Sequence, residues 1–312
     1  MNSRIKRKVS EVAQRLCFSL NLSPMMAKRA NVARVLMFHG IGNGEHSAEL
    51  LENKIRFLKQ HFNIVSLEHL LTKISAGTAL SNEVVLTFDD GLRNNAVHAY
   101  PILKKFDTPA TFFVCPGLIE SGSWLWNHEA RERLRSLPTE QRKELATAWG
   151  CNDDLEAIIT WLKELDIQAR REKEEAIREL THSFTPSADQ KNAYDMMSWD
   201  DLRGLDENLI TIGSHTTNHA ITKDLNDTAL DVEIVESRMI LEQQLSRSIN
   251  HFCYPNGYFD QTTIEAVKST YKSAVTTDEG TVNLADDLYL LSRIPSESSL
   301  PCFAWRLVRP MS

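Results

Sequence analysis

The sequence predicts an α/β fold, a distorted (β/α) barrel of about seven to eight parallel strands with a helical insertion. Three observations predict it. Short apolar β-prone runs alternate with helical patterns, which argues for parallel strands buried on both faces. About eight such repeats spread over roughly 280 residues, the size of a closed barrel. Between Gly117 and Met197 the alternation stops, and a charged stretch rich in Glu, Arg, Lys and Leu replaces it.

The elements follow in order. VLMFH (35–39) reads as the first strand, with a helix from about Leu50 to His61 behind it, then NIVSL (63–67) and a helix to about Ile74. VVLTF (84–88), a helix around Ala96–Phe106 and ATFFV (110–114) continue the rhythm. After the charged stretch come LITIGSH (209–215), a long helix near Thr228–Leu245, NHFCY (250–254), a helix at Gln261–Ser269, KSAVTT (272–277) and LYLLSRI (288–294). The stretch at about 118–197 carries helical candidates near His128–Ala148, Asp154–Leu165 and Gln168–His182. An insertion after a barrel strand adjoins the carboxyl-end rim, where it is placed to act as a lid or substrate wall. Trp124 and Trp126 open it, either as part of that wall or by burying its base against the barrel. Ser198-Trp199-Asp200-Asp201 reads as a helix capping box. The chain thus divides into a basic N-terminal helical segment, 1–31, and a barrel, 32–312, that carries the insertion.

With 42% hydrophobic and 25% charged residues, twelve Gly and ten Pro, disorder and fibrous folds are excluded. No apolar run approaches the roughly 18 residues that would cross a bilayer. The net charge of −7 is uneven: residues 1–30 hold seven Lys/Arg against the single Glu11, a balance of +6 that leaves −13 for the remainder. An acidic main domain argues against a nucleic-acid partner. Ile5, Val9, Val12 and Leu16 at helical spacing, among basic residues, describe an amphipathic helix that either touches anionic lipid peripherally or packs on the barrel. Five scattered cysteines without C-x-x-C spacing indicate neither a disulfide framework nor a thiolate metal site. The N-terminal stretch lacks the uninterrupted apolar segment of a secretory signal, so the expected compartment is cytoplasmic.

Chemistry concentrates at the predicted strand ends. Thr87-Phe88-Asp89-Asp90-Gly91 sets two adjacent carboxylates where a strand stops. They repel unless a cation or proton compensates; a turn with both side chains solvated is the alternative. His215-Thr216-Thr217-Asn218-His219 supplies two imidazoles four residues apart. If the segment after His215 turns helical, both rings face one side, as two ligands of one metal require. With a carboxylate they form a two-His-one-carboxylate site that keeps coordination positions open.

TFDDG followed by HTTNH resembles the polysaccharide deacetylase family, carbohydrate esterase family four, over about Val32 to Arg306 without the insertion. The resemblance implies Asp89 as general base, Asp90 as carboxylate ligand, and His215 and His219 as imidazole ligands of one divalent ion. Zinc is the first choice on imidazole ligation, with cobalt, nickel, manganese and iron also suited. Phe252-Cys253-Tyr254-Pro255-Asn256-Gly257 is similar to the family's third motif, in which a backbone N–H beside the metal holds the oxyanion. Tyr254 and Asn256 are the corresponding substrate-binding positions. Cys253 stands where the family has the arginine that orients the base, and Arg293 in LSRIP is the candidate to take its place. The C-terminal histidine motif is absent, since no histidine follows His251. Leu36-Met37-Phe38-His39-Gly40 resembles a subgroup, including poly-N-acetylglucosamine deacetylases, in which a strand-end histidine is the acid. His39 would protonate the leaving amine. Thr277-Asp278-Glu279-Gly280 lacks the tryptophan of the fourth motif and carries no role.

The expected activity is therefore metal-dependent N-deacetylation of an N-acetylated sugar in a polysaccharide or glycan precursor, such as a lipid- or nucleotide-linked sugar, with release of acetate. The substitutions at Cys253 and Asn256 keep a second reading open, a carbohydrate-binding barrel impaired in catalysis. A glycoside hydrolase using Asp89 and another carboxylate is disfavoured, because adjacent residues rarely straddle a glycosidic bond.

Overall fold

A computed structural model describes residues 14, 17–20, 31–42, 46–223 and 225–308. Eight parallel strands form one sheet: β1 (Arg34–Phe38), β2 (Asn63–Ile64), β3 (Glu83–Phe88), β4 (Ala110–Val114), β5 (Ile210–Ser214), β6 (His251–Cys253), β7 (Ser273–Glu279) and β8 (Leu291–Pro295). Strand β1 pairs with β8 on one side and with β3 on the other, Arg34↔Val84 through Phe38↔Phe88, so seven strands close a barrel. The short β2 is extra, paired with the start of β3.

Two expected strands are shorter than their apolar runs. NIVSL contributes only Asn63–Ile64, because Ser66 caps the next helix by accepting from the His69 N–H. LYLLSRI begins its strand at Leu291, since the Asp287 carboxylate and carbonyl accept from Tyr289 and Leu290 N–H and turn the chain there.

The outer layer is helical. Helices α1 (Ala48–His61), α2 (Leu67–Ser75) and α3 (Tyr100–Lys105) follow β1, β2 and β3. Their registers are set by caps and apolar spacing: Ser47 caps α1, whose Leu51, Ile55 and Leu58 form one buried stripe. Between β4 and β5 stand α4 (Pro116–Ser121), α5 (Trp126–Ser136), α6 (Thr139–Trp149), α7 (Leu155–Glu164), α8 (Ile167–Leu180), α9 (Ala188–Tyr194) and α10 (Trp199–Arg203). Ser198 and Asp201 form the expected reciprocal capping box on α10. The helix expected over 228–245 is α11 (Asp227–Leu230) and α12 (Ser237–Leu245), joined by a wide turn of π-helix at Asp231–Glu236. Helices α13 (Gln261–Thr270) and α14 (Leu300–Arg306) complete the chain.

Strand alternation divides the core in two. Val35, Val85, Phe113, Cys253, Val275 and Leu291 cluster in the barrel with Leu67, Leu70, Leu71 and Ile74 of α2. Residues of opposite parity, such as Leu36, Phe38, Leu86, Phe88 and Phe112, pack with the surrounding helices. The inserted helices have a third cluster of their own, from Trp126 and Leu134 to Ile158, Leu162 and Ile177. Both Trp124 and Trp126 are buried, the Trp124 indole donating to Asp195 at 2.8 Å and the Arg170 guanidinium lying 4.6 Å from the Trp126 ring. The basic helix expected within 1–31 lies largely outside the described residues, although Phe18 packs on Phe57 of α1 with ring centroids 5.8 Å apart. No helix among the described residues is long and apolar enough to cross a membrane.

Gly213 has a packing reason. It sits opposite Phe113 in the β4–β5 register, and a Cβ there would meet the phenyl ring at 2.5 Å and the His251 carbonyl at 3.0 Å. Gly213→Ala is expected to destabilise the protein by about 1–3 kcal/mol through overpacking, read as a lower urea midpoint with an unchanged slope.

Candidate active site

Strand ends assemble the site. Asp89 and Asp90 follow β3, His39 follows β1, His215 follows β5, and Tyr254–Asn256 follow β6, so all reach the carboxyl-end rim. The Asp89 N–H continues the β3 ladder to the Phe38 carbonyl at 2.9 Å, and the His215 N–H does the same to Val114. A cavity of about 360 Å³ is lined by His39, Asp89, Asp90, His215, His219, Tyr254 and Asn256.

Parity explains how Arg293 meets Asp89. Counting in twos, Thr87 and Asp89 share the inward side of Val85, and Arg293 shares that of Leu291. Arg293 is fully buried. Its Nη1 and Nη2 donate to Asp89 Oδ1 and Oδ2, each at 2.7 Å, while Nε donates to the Thr276 carbonyl at 2.7 Å and Nη1 also to Thr87 Oγ1 at 3.0 Å. The guanidinium also lies 3.2 Å from Cys253 Sγ, so the cysteine side chain abuts this pair. Burial alone raises the Asp89 carboxyl, but the charge and hydrogen bonds of Arg293 outweigh it and hold the group far below the usual carboxylate range.

Asp90 is turned differently. Its φ of 76° is left-handed, and Gly91 follows at 72°, so the chain reverses its pleat and Asp90 faces the imidazoles instead of the guanidinium. Asp90 Oδ1 lies 3.7 Å from His215 Nε2 and 3.5 Å from His219 Nε2. The segment after His215 does not turn helical. A turn carries 216–218, with left-handed Thr216 (φ 62°) and His219 (φ 56°), and this turn brings the two rings to 4.9 Å. The turn is held by Glu233, whose carboxylate accepts from the Asn218 N–H at 2.9 Å and the Asn218 side-chain amide at 3.0 Å. The Thr216 hydroxyl accepts from Ala220 N–H, which closes it.

These residues fit a divalent cation. Asp90 is 4% exposed and accepts no hydrogen bond among the described residues, an unfavourable state for a carboxylate unless a cation answers its charge. His215 Nδ1 lies 2.8 Å from the Cys253 carbonyl, to which it donates, leaving the Nε2 lone pair facing Asp90. Burial pushes His215 down, and His219 down to about 3, so both rings are neutral and able to ligate. Ligand bonds of about 2.0–2.2 Å in tetrahedral array imply ligand atoms about 3.4 Å apart, close to the two separations found. Asp89, His215 and Cys253 also cluster within ligand reach. That set fits poorly, because Arg293 engages Asp89 and burial raises the Cys253 thiol well above its usual value.

Among the described residues, the third-motif turn leaves one backbone N–H without an acceptor. Tyr254 N–H donates to Val275, Pro255 has none, and Gly257 and Tyr258 N–H donate to Tyr254 and Pro255 carbonyls. Asn256 N–H has no acceptor among the described residues, and its φ of 56° marks the turn. The Tyr254 hydroxyl donates to the Tyr289 carbonyl at 3.2 Å, away from that turn.

The cavity has a wall that motif reading did not assign. Asn127, His128 and Arg131 from α5 and Lys163 from α7 line it opposite the barrel rim. His128 is lowered to about 4 by burial, and its ring lies 4.7 Å from Tyr194. The available signal was the i, i+3 spacing of His128 and Arg131, which sets both on one helix face.

A closed parallel barrel with a carboxylate doublet and paired imidazoles at its carboxyl rim belongs to the class of barrel hydrolases. More narrowly, the chain is a member of the polysaccharide deacetylase family, whose sequence pattern matches residues 76–274, more than half its length. Bacillus subtilis YxkH, named for the same family, is 22% identical over 275 residues, 83% of this chain and 70% of the relative. A Staphylococcus aureus poly-β-1,6-N-acetyl-D-glucosamine N-deacetylase is 31% identical over 106 residues, 34% of this chain and 33% of its own. The fold is similar to that of the Streptococcus pyogenes deacetylase PplD, determined in complex with acetate, with a TM-score of 0.62, 20% identity, and coverage of 89% and 99% of the two chains.

The buried ion pair yields a stability prediction. Arg293→Met strands Asp89 without a counter-charge and is expected to cost about 3–5 kcal/mol at pH 7. The double variant Arg293→Met/Asp89→Asn is expected to recover most of that loss, because no stranded charge remains. Urea denaturation of the three proteins measures both values; a double variant no more stable than the single one contradicts the assignment.

Proposed function

We propose that this chain is a metal-dependent N-deacetylase that hydrolyses the acetamido group of an N-acetylated sugar and releases acetate. The observation that carries the reading is the unlike treatment of two neighbouring carboxylates, one in an arginine fork and one facing two neutral imidazoles, on a single cavity. Asp90, His215 and His219 would hold the divalent ion, zinc by preference for imidazole. Such an ion, when bound, polarises a carbonyl and lowers the pKa of water toward 7.

The chain's residues do the rest. A carboxylate as strongly stabilised as Asp89 is a weak base, adequate only for an acidified water, and Arg293 fixes its two oxygens so that it meets that water in one orientation. The free Asn256 N–H donates to the acetyl oxygen as it gains charge. His39 is exposed at the rim of the same cavity and protonates the sugar nitrogen as the C–N bond breaks. Similarity to the Staphylococcus aureus enzyme favours N-acetylglucosamine, in a polymer or a precursor, as the sugar.

Acetate release from N-acetylglucosamine oligomers, paired with detection of the new amine, tests the reaction. Activity is expected to vanish with a chelator and return with zinc, and to fall by about 10²–10⁴ in Asp89→Asn and in His39→Ala. Sugar binding without any acetate release, chelated or not, would instead establish the impaired-binder reading.

Metal titration gives an independent check. His215→Ala and Asp90→Asn are each expected to weaken zinc binding by more than about a hundredfold, the upper range for loss of an outer partner alone. Calorimetry that finds full-strength zinc binding in either variant removes the proposed site.

A further inference from the structure

Among the described residues, the inserted helices present to the cavity a cation with no hydrogen-bond or ion-pair partner. Lys163 of α7 lines the cavity and is half-buried, yet makes no hydrogen bond or ion pair among the described residues. Its neighbour Arg131 is already answered, its Nε and Nη2 donating to Glu156 at 2.7 and 2.9 Å. Within the cavity the Asp89 charge is matched by Arg293, and Asp90 is set to face a cation. Lys163 therefore leaves this wall positive. Burial lowers its pKa and the charge of Arg131 adds to that, with Glu156 and Asp90 opposing. Among the described residues lining the cavity, Tyr254 is the sole phenyl or indole ring, so the wall offers charge more than a stacking face for a neutral sugar chain. An ammonium partly removed from water gains a charge-assisted hydrogen bond when an anion enters beside it.

We propose that Lys163 is a specificity-determining residue that binds an anionic substituent, phosphoryl or carboxylate, carried by the acetamido sugar. The sugar rests on the deacetylase reading above; the anion rests on the wall itself. The experiment titrates zinc-loaded protein calorimetrically with N-acetylglucosamine 1-phosphate, N-acetylmuramic acid and the neutral methyl N-acetylglucosaminide. At low ionic strength at least one charged sugar is expected to bind about tenfold more tightly than the neutral one, an advantage that fades with added salt. A preference for the phosphate or for the carboxylate identifies the source of the charge. Lys163→Gln is expected to lose the preference, and Lys163→Arg, which keeps the charge, to retain it. Equal affinity for all three sugars, a preference surviving in Lys163→Gln, or one lost equally in Lys163→Arg overturns the proposal. Acetate measured on the same samples separates the two readings. A lysine-dependent preference without acetate release supports the anion site and overturns hydrolysis, whereas release without the preference overturns the anion site alone.

Discussion

Two carboxylates adjacent in sequence and both buried are tolerated at the barrel rim because their charges are answered from opposite directions. Asp89 continues the inward parity of β3 and meets a guanidinium from β8. Asp90 leaves that parity through a left-handed backbone and meets two rings from the loop after β5. Were both to point inward, one arginine would face two anions; were both to point outward, the lumen would hold an unpaired Arg293. The positive φ of Asp90 is thus the local strain that sorts the pair, of the kind that accumulates where geometry serves chemistry.

Much of this was legible in the chain. Continuous apolar runs fixed the strands of a parallel barrel, and the aspartate doublet and the histidine pair stood at their ends, where a barrel gathers side chains. Arg293 was legible only through the resemblance, in which Cys253 stands at an arginine position and LSRIP offers a substitute cation on another strand. The conformation between His215 and His219 was not legible. H-x-x-x-H suits a helix, and the tight turn that replaces it depends on Glu233, fourteen positions after His219 and invisible to a local pattern. The strand limits at Ser66 and Asp287 were likewise set by single capping contacts that apolar content does not register.

The inserted helices were legible as helices, except that the one expected near His128–Ala148 is interrupted at Leu137–Pro138 into α5 and α6, and they were obscure as a surface. Their leucines and isoleucines pack in a cluster of their own, so the segment is more than a fringe laid over the barrel. A smaller cluster, Leu92, Cys115, Leu118, Leu125 and Met196, ties its base to the rim. Which of its many charged residues face the cavity is decided by tertiary contacts, as with Arg131 and Glu156, and composition cannot rank them.

The arginine beside Asp89 comes from β8, whereas the resemblance read in the sequence implies one at the position of Cys253, on β6. The lumen of a closed barrel is small enough that staves which are not adjacent, here β8 and β6 with β7 between them, can present an ion to the same place. The same charge can then be supplied from another strand while the electrostatic landscape stays put, and a pattern that inspects one position alone does not see it. Gauging whether a divergent barrel has kept its machinery therefore means surveying the inner circumference as a ring.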